Sequence, residues 1–264
     1  MKAGLATACL YPTEVEKAFR QIAEEGIKTV EIFVNSHCEL DDPYRGEMLE
    51  IQREYDIDVV SVHPFTCGIE PMMLFTKYER RVNDMLDYYK LFFEYMNLFG
   101  AKYFILHGNK PENFCPDEVY FERFLKLQNT AKEFGLKVLQ ENVSRCTGKS
   151  MEFLKKMKDT LGSDAAFVLD TKQAHRSGND PIQMVRTLGN SIKHIHYSDC
   201  GKDGDCLKFG FGEYDNTGLF TELKNCGFNG SVLIELYKGS FEDISDLAEN
   251  CRDLESFLRE NMLI

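Results

Sequence analysis

The chain has 264 residues and a formal net charge of −12 at pH 7. That balance opposes non-specific attraction to nucleic acid and to anionic membrane surfaces. No stretch approaches the roughly 18 consecutive apolar residues of a membrane span. The nine cysteines are scattered, odd in number and without a C-x-x-C pair. They predict reduced thiols in a cytoplasmic protein and count against a thiolate zinc site. The apolar start, Met1 to Leu10, is too short for a signal peptide and reads as a first strand over 3–9.

A helix follows over 13–25, with Thr13 as N-cap, Glu16 completing a capping box, and Val15, Phe19, Ile22 and Ala23 at helical spacing. A strand over 29–34, a helix over 42–55 and a strand over 57–63 come next. The longest connection holds an irregular stretch at 64–70 and one long helix over 71–99, whose excess apolar surface offers oligomer contacts. A strand over 102–107 and a helix over 116–135 lead to the apolar run 136–142. A helix over 149–161, a strand over 166–170, a helix over 181–188 and a strand over 192–197 follow. A polar, glycine-rich loop spans 199–214, and a helix over 216–226, a strand over 231–236 and a helix over 241–260 close the chain. Strict alternation demands a parallel sheet, because each parallel crossover needs a helix. Eight repeats at this length favour a single (β/α)8 barrel, an α/β fold of about 250 residues, over an open sheet. With no linker in sight, residues 1–264 read as one domain. No G-x-G-x-x-G follows the first strand, so a dinucleotide site lacks its signature.

The strands share a design. Apolar runs end in His63, His107, Glu141, Asp170, His196 and Glu235. In barrels of this type the site lies at the C-terminal rim. Glu141, Asp170, His196 and Glu235 end four successive strands, so their side chains can converge. Three carboxylates without a cation would raise one another's pKa. One divalent ion accounts for the cluster. An oxygen-rich set suits Mn²⁺ first, with Zn²⁺, Co²⁺ and Mg²⁺ as alternatives.

His63-Pro64, Leu106-His107-Gly108, Gln140-Glu141-Asn142, Leu169-Asp170-Thr171, Ile195-His196-Tyr197-Ser198-Asp199 and Ile234-Glu235 resemble the strand-end motifs of the xylose isomerase-like superfamily. The resemblance covers nearly the whole chain. It implies that Glu141, Asp170, His196 and Glu235 coordinate one divalent metal, and that Glu141 and Glu235 move protons on opposite faces of the substrate. Elementary chemistry agrees: a metal-stabilised enediolate forms when a carboxylate takes the α-proton, and a second carboxylate returns one. The expected activity is isomerisation or epimerisation of a small sugar, sugar phosphate or related polyol or keto compound. The alternatives are a dehydratase of a hydroxy-keto acid or inosose, an AP-endonuclease-like phosphodiesterase, and a non-catalytic sugar-binding barrel. The nuclease branch carries a His where this chain has Gln173, and an Asp-x-His pair where 205–210 holds no His. Those departures turn the expectation toward one-metal sugar chemistry. His63 and His107, with Glu141, match positions that bind a further metal in the nuclease branch. Here they are expected to line the pocket and bond substrate hydroxyls, with Gln173 beside them. Lys208, in a glycine-rich loop, is expected to hold an anionic group of the substrate; Arg145 has similar standing. Phe65, Phe209 and Phe211 are candidate pocket walls.

Overall fold

Eight parallel strands close on themselves in the computed structural model, which describes residues 1–261 and 263. Residues 262 and 264, where the expected domain ends, lie outside them. The barrel strands are β1 (Lys2–Ala6), β2 (Thr29–Phe33), β3 (Asp58–His63), β4 (Tyr103–Leu106), β5 (Lys137–Glu141), β6 (Phe167–Asp170), β7 (Ile192–Tyr197) and, after the hairpin strands β8 (Asp199–Gly201) and β9 (Gly204–Leu207), β10 (Ser231–Ile234). Their order around the barrel is β1-β10-β7-β6-β5-β4-β3-β2, which is the sequence order of a (β/α)8 barrel. Ten α-helical segments connect the strands: α1 (Val15–Glu24), α2 (Tyr44–Tyr55), α3 (Glu70–Met73), α4 (Glu79–Phe99), α5 (Asp117–Glu133), α6 (Met151–Leu161), α7 (Thr171–Arg176), α8 (Pro181–Leu188), α9 (Asn216–Asn225) and α10 (Ile244–Glu260).

The strands are apolar on both faces because both are covered. Their outward side chains join the helices in one large core, which includes Phe104, Phe92 and Phe93. Inside the barrel, Ile105, Leu139, Ala166 and Val168 form a separate small cluster. The same interior also buries Glu31, Ser61 and His194. Such polar groups are tolerated there only because they bond one another.

Several local expectations are corrected. The capping box at Thr13 is absent, and α1 begins at Val15 with no side-chain cap. A capping box forms instead between Ser36 and Glu39. The first strand stops at Ala6 and runs into a single 3₁₀ turn, Thr7–Leu10. The long helix over 71–99 is two helices. Leu74 and Phe75 turn into the core, while the Asn113 amide donates to the carbonyls of Pro71 and Phe75 at 2.9 and 3.0 Å. Side-chain donors thus replace the helical ladder across the break. The expected loop over 199–214 begins as an antiparallel hairpin of β8 and β9, turning at Lys202-Asp203 between the paired Gly201 and Gly204. Asp199 holds this segment, accepting from the backbone N–H of Gly210 at 3.1 Å and of Tyr214 at 3.3 Å. The α7 segment had no counterpart in the sequence reading.

Candidate metal and active site

Strand register brings the strand-end residues together. Asp170 and His196 are Cα partners across β6 and β7. The Glu235 backbone N–H donates to the Tyr197 carbonyl at 3.0 Å, which carries the alignment one residue past β10. Asp170 also caps α7, its Oδ1 accepting from the Gln173 N–H at 2.8 Å. That leaves Oδ2 to face the barrel mouth. One ligand atom each from Glu141, Asp170, His196 and Glu235 lies within 4.8 Å of the others.

Eight buried side-chain polar atoms make no hydrogen bond among the described residues, and four of them belong to this group: Glu141 Oε2, Asp170 Oδ2, His196 Nδ1 and Glu235 Oε2. Each residue contributes one. Buried polar atoms are ordinarily paired, so four orphans converging on one point fit a cation that would bond to all of them. The donor set, three carboxylate oxygens and one imidazole nitrogen, suits a divalent ion.

The neighbours fix how the set is charged. His196 presents Nδ1 to Glu235 Oε2 at 3.3 Å and to Glu141 Oε1 at 3.7 Å. Its Nε2 lies 3.1 Å from Glu31 Oε2. A carboxylate behind the ring keeps the proton on Nε2 and the lone pair on Nδ1, toward the candidate metal. Burial pushes the His196 pKa down, but Glu31 and Glu235 outweigh it and hold the imidazole well above its usual range. Burial pushes Asp170 up to about 7; Lys172 opposes that rise, and Glu235 and Glu141 add to it. Burial would also raise Glu141, but the charge of His107, with His196 and His63 close by, holds it well below the usual carboxylate range. Glu235 is held below its usual range against the same burial penalty by Lys172 and His196.

His63 and His107 come to the same rim. His63 Nδ1 faces the Pro64 carbonyl at 3.1 Å, and its Nε2 meets His107 Nε2 at 2.8 Å. The network is satisfied when His63 donates through Nδ1 and accepts from His107. His107 Nε2 also lies 3.0 Å from Glu141 Oε2, off the line of its N–H. Gly108, at φ +87°, gives the backbone turn after His107; a Cβ there would sit 2.0 Å from the Tyr120 hydroxyl. His63, His107 and Glu141 thus form a second close group. Two ring nitrogens bonded to each other are not both free to face an ion, which sets this group apart from the orphaned one.

The Gln173 amide oxygen accepts from the Ser144 N–H at 3.0 Å and hydroxyl at 2.7 Å. The Lys208 ammonium meets Asp246 at 2.6 Å and lies over the Phe211 ring. Arg145 is exposed. Phe209 packs against Tyr197 and Phe257 rather than walling the site, and Phe211 is exposed. Phe65 is a wall: it lines an apolar hollow of about 400 Å³ with Ala8, Tyr11, Phe33, Asn35, Leu236 and Tyr237, and Glu235 lies on its edge. A larger hollow, about 530 Å³, lies at the opposite end of the barrel around Lys2, Thr29 and Asp58, and carries none of these groups.

Two residues escaped the sequence reading. Glu31 stood in plain view, a carboxylate inside the apolar run of β2. Lys172, two residues after Asp170, has a side chain only 2% exposed. Its Nζ lies 3.6 Å from Asp170 Oδ2 and 3.7 Å from Glu235 Oε2.

Comparison with known proteins supplies the lineage. The chain is similar to a D-tagatose 3-epimerase-like protein, at 21% identity and TM-score 0.82 over 99% of this chain and 98% of that one. A D-psicose 3-epimerase aligns at 13% identity and TM-score 0.80 over the whole of both chains. The IOLI protein, solved with a bound zinc atom, aligns at 18% identity and TM-score 0.78 over 98% of each. At these identities the structures speak for the fold alone. The sequence profile of one family, the xylose isomerase-like TIM barrels, matches residues 19–260, and the chain belongs to that family.

Proposed function

We propose that the chain, acting as one barrel domain, is a divalent-metal-dependent isomerase or epimerase of a small sugar or a related polyol or keto compound. The observation that carries this reading is the convergence of four orphaned ligand atoms, two of them on glutamates held in the proton-accepting form. Epimerases among the structures of like fold support it. A bound divalent ion supplies Lewis acidity to a substrate carbonyl and its neighbouring hydroxyl. Mn²⁺ suits the oxygen-rich set first; the zinc in the IOLI protein keeps zinc a close alternative.

Glu141 and Glu235 are the proton carriers. One takes the proton from the carbon beside the carbonyl, and the other returns a proton on its own side. His107 beside Glu141 and Lys172 beside Glu235 keep both carboxylates ready to accept. His107, the more exposed of the histidine pair, orients substrate hydroxyls, and His63 is bonded behind it. With its oxygen engaged by Ser144, Gln173 has its amide N–H groups left to donate to the same hydroxyls.

The test is NMR in D₂O over a panel of ketoses, their phosphates and inososes, with the chelator-stripped chain and with Mn²⁺ restored. Metal-dependent uptake of deuterium at the α-carbon, together with an isomer of unchanged mass, is the expected outcome. Loss of water would reassign the chain to the dehydratases. A panel with neither exchange nor turnover would reject the reading.

A further inference from the structure

Lys172 places a fixed positive charge inside a cluster built for another cation. Its side chain ranks among the largest fully buried ones, the only lysine among them. Two of the four orphaned atoms, Asp170 Oδ2 and Glu235 Oε2, are its nearest carboxylate oxygens. The ammonium has two further anchors. It donates to the Glu235 main-chain carbonyl at 3.4 Å and lies 4.8 Å from the centre of the Tyr237 ring. Neither depends on the carboxylate side chains, so the charge stays at the rim whatever else binds there.

The charge count gives this placement a consequence. With each ligand in the deprotonated form that a metal requires, three carboxylates and one ammonium beside a neutral imidazole leave two net negative charges, which one divalent ion offsets. Without the ammonium, the same residues would carry three. Buried charge without a partner is strongly unfavourable. In the metal-free state Lys172 therefore relieves repulsion between Asp170 and Glu235. In the loaded state it opposes the ion that shares those two oxygens.

We propose that Lys172 is a built-in competitor of the metal: it holds the empty site together and lowers the affinity of the loaded one, so that the ion exchanges. The proposal rests on the reading of Glu141, Asp170, His196 and Glu235 as metal ligands. It assigns Lys172 a positioning role through those carboxylates and no contact with substrate.

The experiment is calorimetric titration of Mn²⁺ into the chelator-stripped full chain, for wild type, Lys172→Gln and Lys172→Met, with melting temperatures of the metal-free and loaded forms. Lys172→Gln keeps a donor for the Glu235 carbonyl and removes the charge, so it tests the idea even where Lys172→Met fails to fold. The expected result is Mn²⁺ binding tighter by about tenfold or more, the direction and least size that removing a cation some 4 Å from two ligand oxygens implies. The metal-free variant also melts lower than wild type, and its gain on adding Mn²⁺ is larger. Equal or weaker Mn²⁺ binding by Lys172→Gln, with both forms destabilised alike, would reduce Lys172 to a packing residue and overturn the proposal. Failure of the underlying reading looks different: wild type itself would take up no Mn²⁺.

Discussion

Glu141 and Glu235 are the same residue at the same place on two strands, yet the barrel surrounds them differently. Glu141, with a side chain 3% exposed, is flanked by the paired imidazoles of His63 and His107 from β3 and β4. Glu235, 20% exposed, faces Lys172 and forms one edge of the apolar hollow. Both flanks stabilise the carboxylate form. Only the histidine flank offers ring nitrogens able to donate or accept a hydrogen bond; an ammonium so placed donates and supplies charge alone. Like residues are thereby given unlike proton environments, as a reaction with two distinct faces requires.

The largest effect comes from breaking each flank at its carboxylate. Glu141→Gln and Glu235→Gln each keep a ligand oxygen and lose the proton carrier, and each should lower turnover by about 10²–10⁴-fold. The comparison is sharpened by exchange in D₂O with each epimer supplied separately, at equal metal occupancy. Every variant should exchange the α-hydrogen of one epimer only, and the two variants should select opposite epimers. If both acted on the same epimer, the two glutamates would not serve opposite faces.

Next in size is the group behind the metal candidate, which belongs to neither flank. Glu31 fixes which nitrogen of His196 is bare. Glu31→Gln should weaken Mn²⁺ binding by about 10–100-fold, the usual cost of losing such a support. The pH dependence comes from the same contact. Glu31 and Glu235 hold His196 protonated well above the usual range, and burial pushes Asp170 up to about 7. A metal ligand must be deprotonated. Binding therefore releases protons, tightens as pH rises through neutrality and weakens as it falls. In Glu31→Gln the His196 share of this dependence should shrink, because the charge that raised its pKa is gone. Titrations below and above neutrality measure it; a slope unchanged from wild type would show that Glu31 does not govern the ring.

How much of the molecule is legible in its sequence depends on how far each signal reaches along the chain. The strands and their terminal acids and histidines are local patterns, each an apolar run closed by a polar side chain, so the barrel and the four-residue group were readable. Lys172 was not, because Thr171-Lys172-Gln173-Ala174 carries no local pattern that marks a buried lysine. Its partners, Glu235 and Tyr237, come from the far end of the chain. Glu31 was readable in principle, since a carboxylate between Val30 and Ile32 in a strand covered on both faces needs a buried partner. The break after α3 was hidden because its cause, the Asn113 amide, comes from a distant loop. The partner of Lys208 was hidden for the same reason: Asp246 reaches it from α10, far along the chain.

Lys208 also supplies the smallest effect. Its pair with Asp246 lies outside both flanks and is matched and partly exposed. Such pairs contribute about 0–1 kcal/mol. Lys208→Met should therefore lower the melting temperature by at most about 4 °C in a chain of this size, and turnover of a neutral sugar should be unchanged. Asp246 keeps a second bond, from the Glu242 N–H at 2.9 Å, so the start of α10 survives the change. The decisive comparison is between a neutral ketose and its phosphate. An equal KM for each in wild type and Lys208→Met places recognition away from the Asp246 pair. A KM for the phosphate that rises tenfold in the variant alone would mean that the Asp246 pair opens for an anion. The rim would then have a third functional region beside the two flanks.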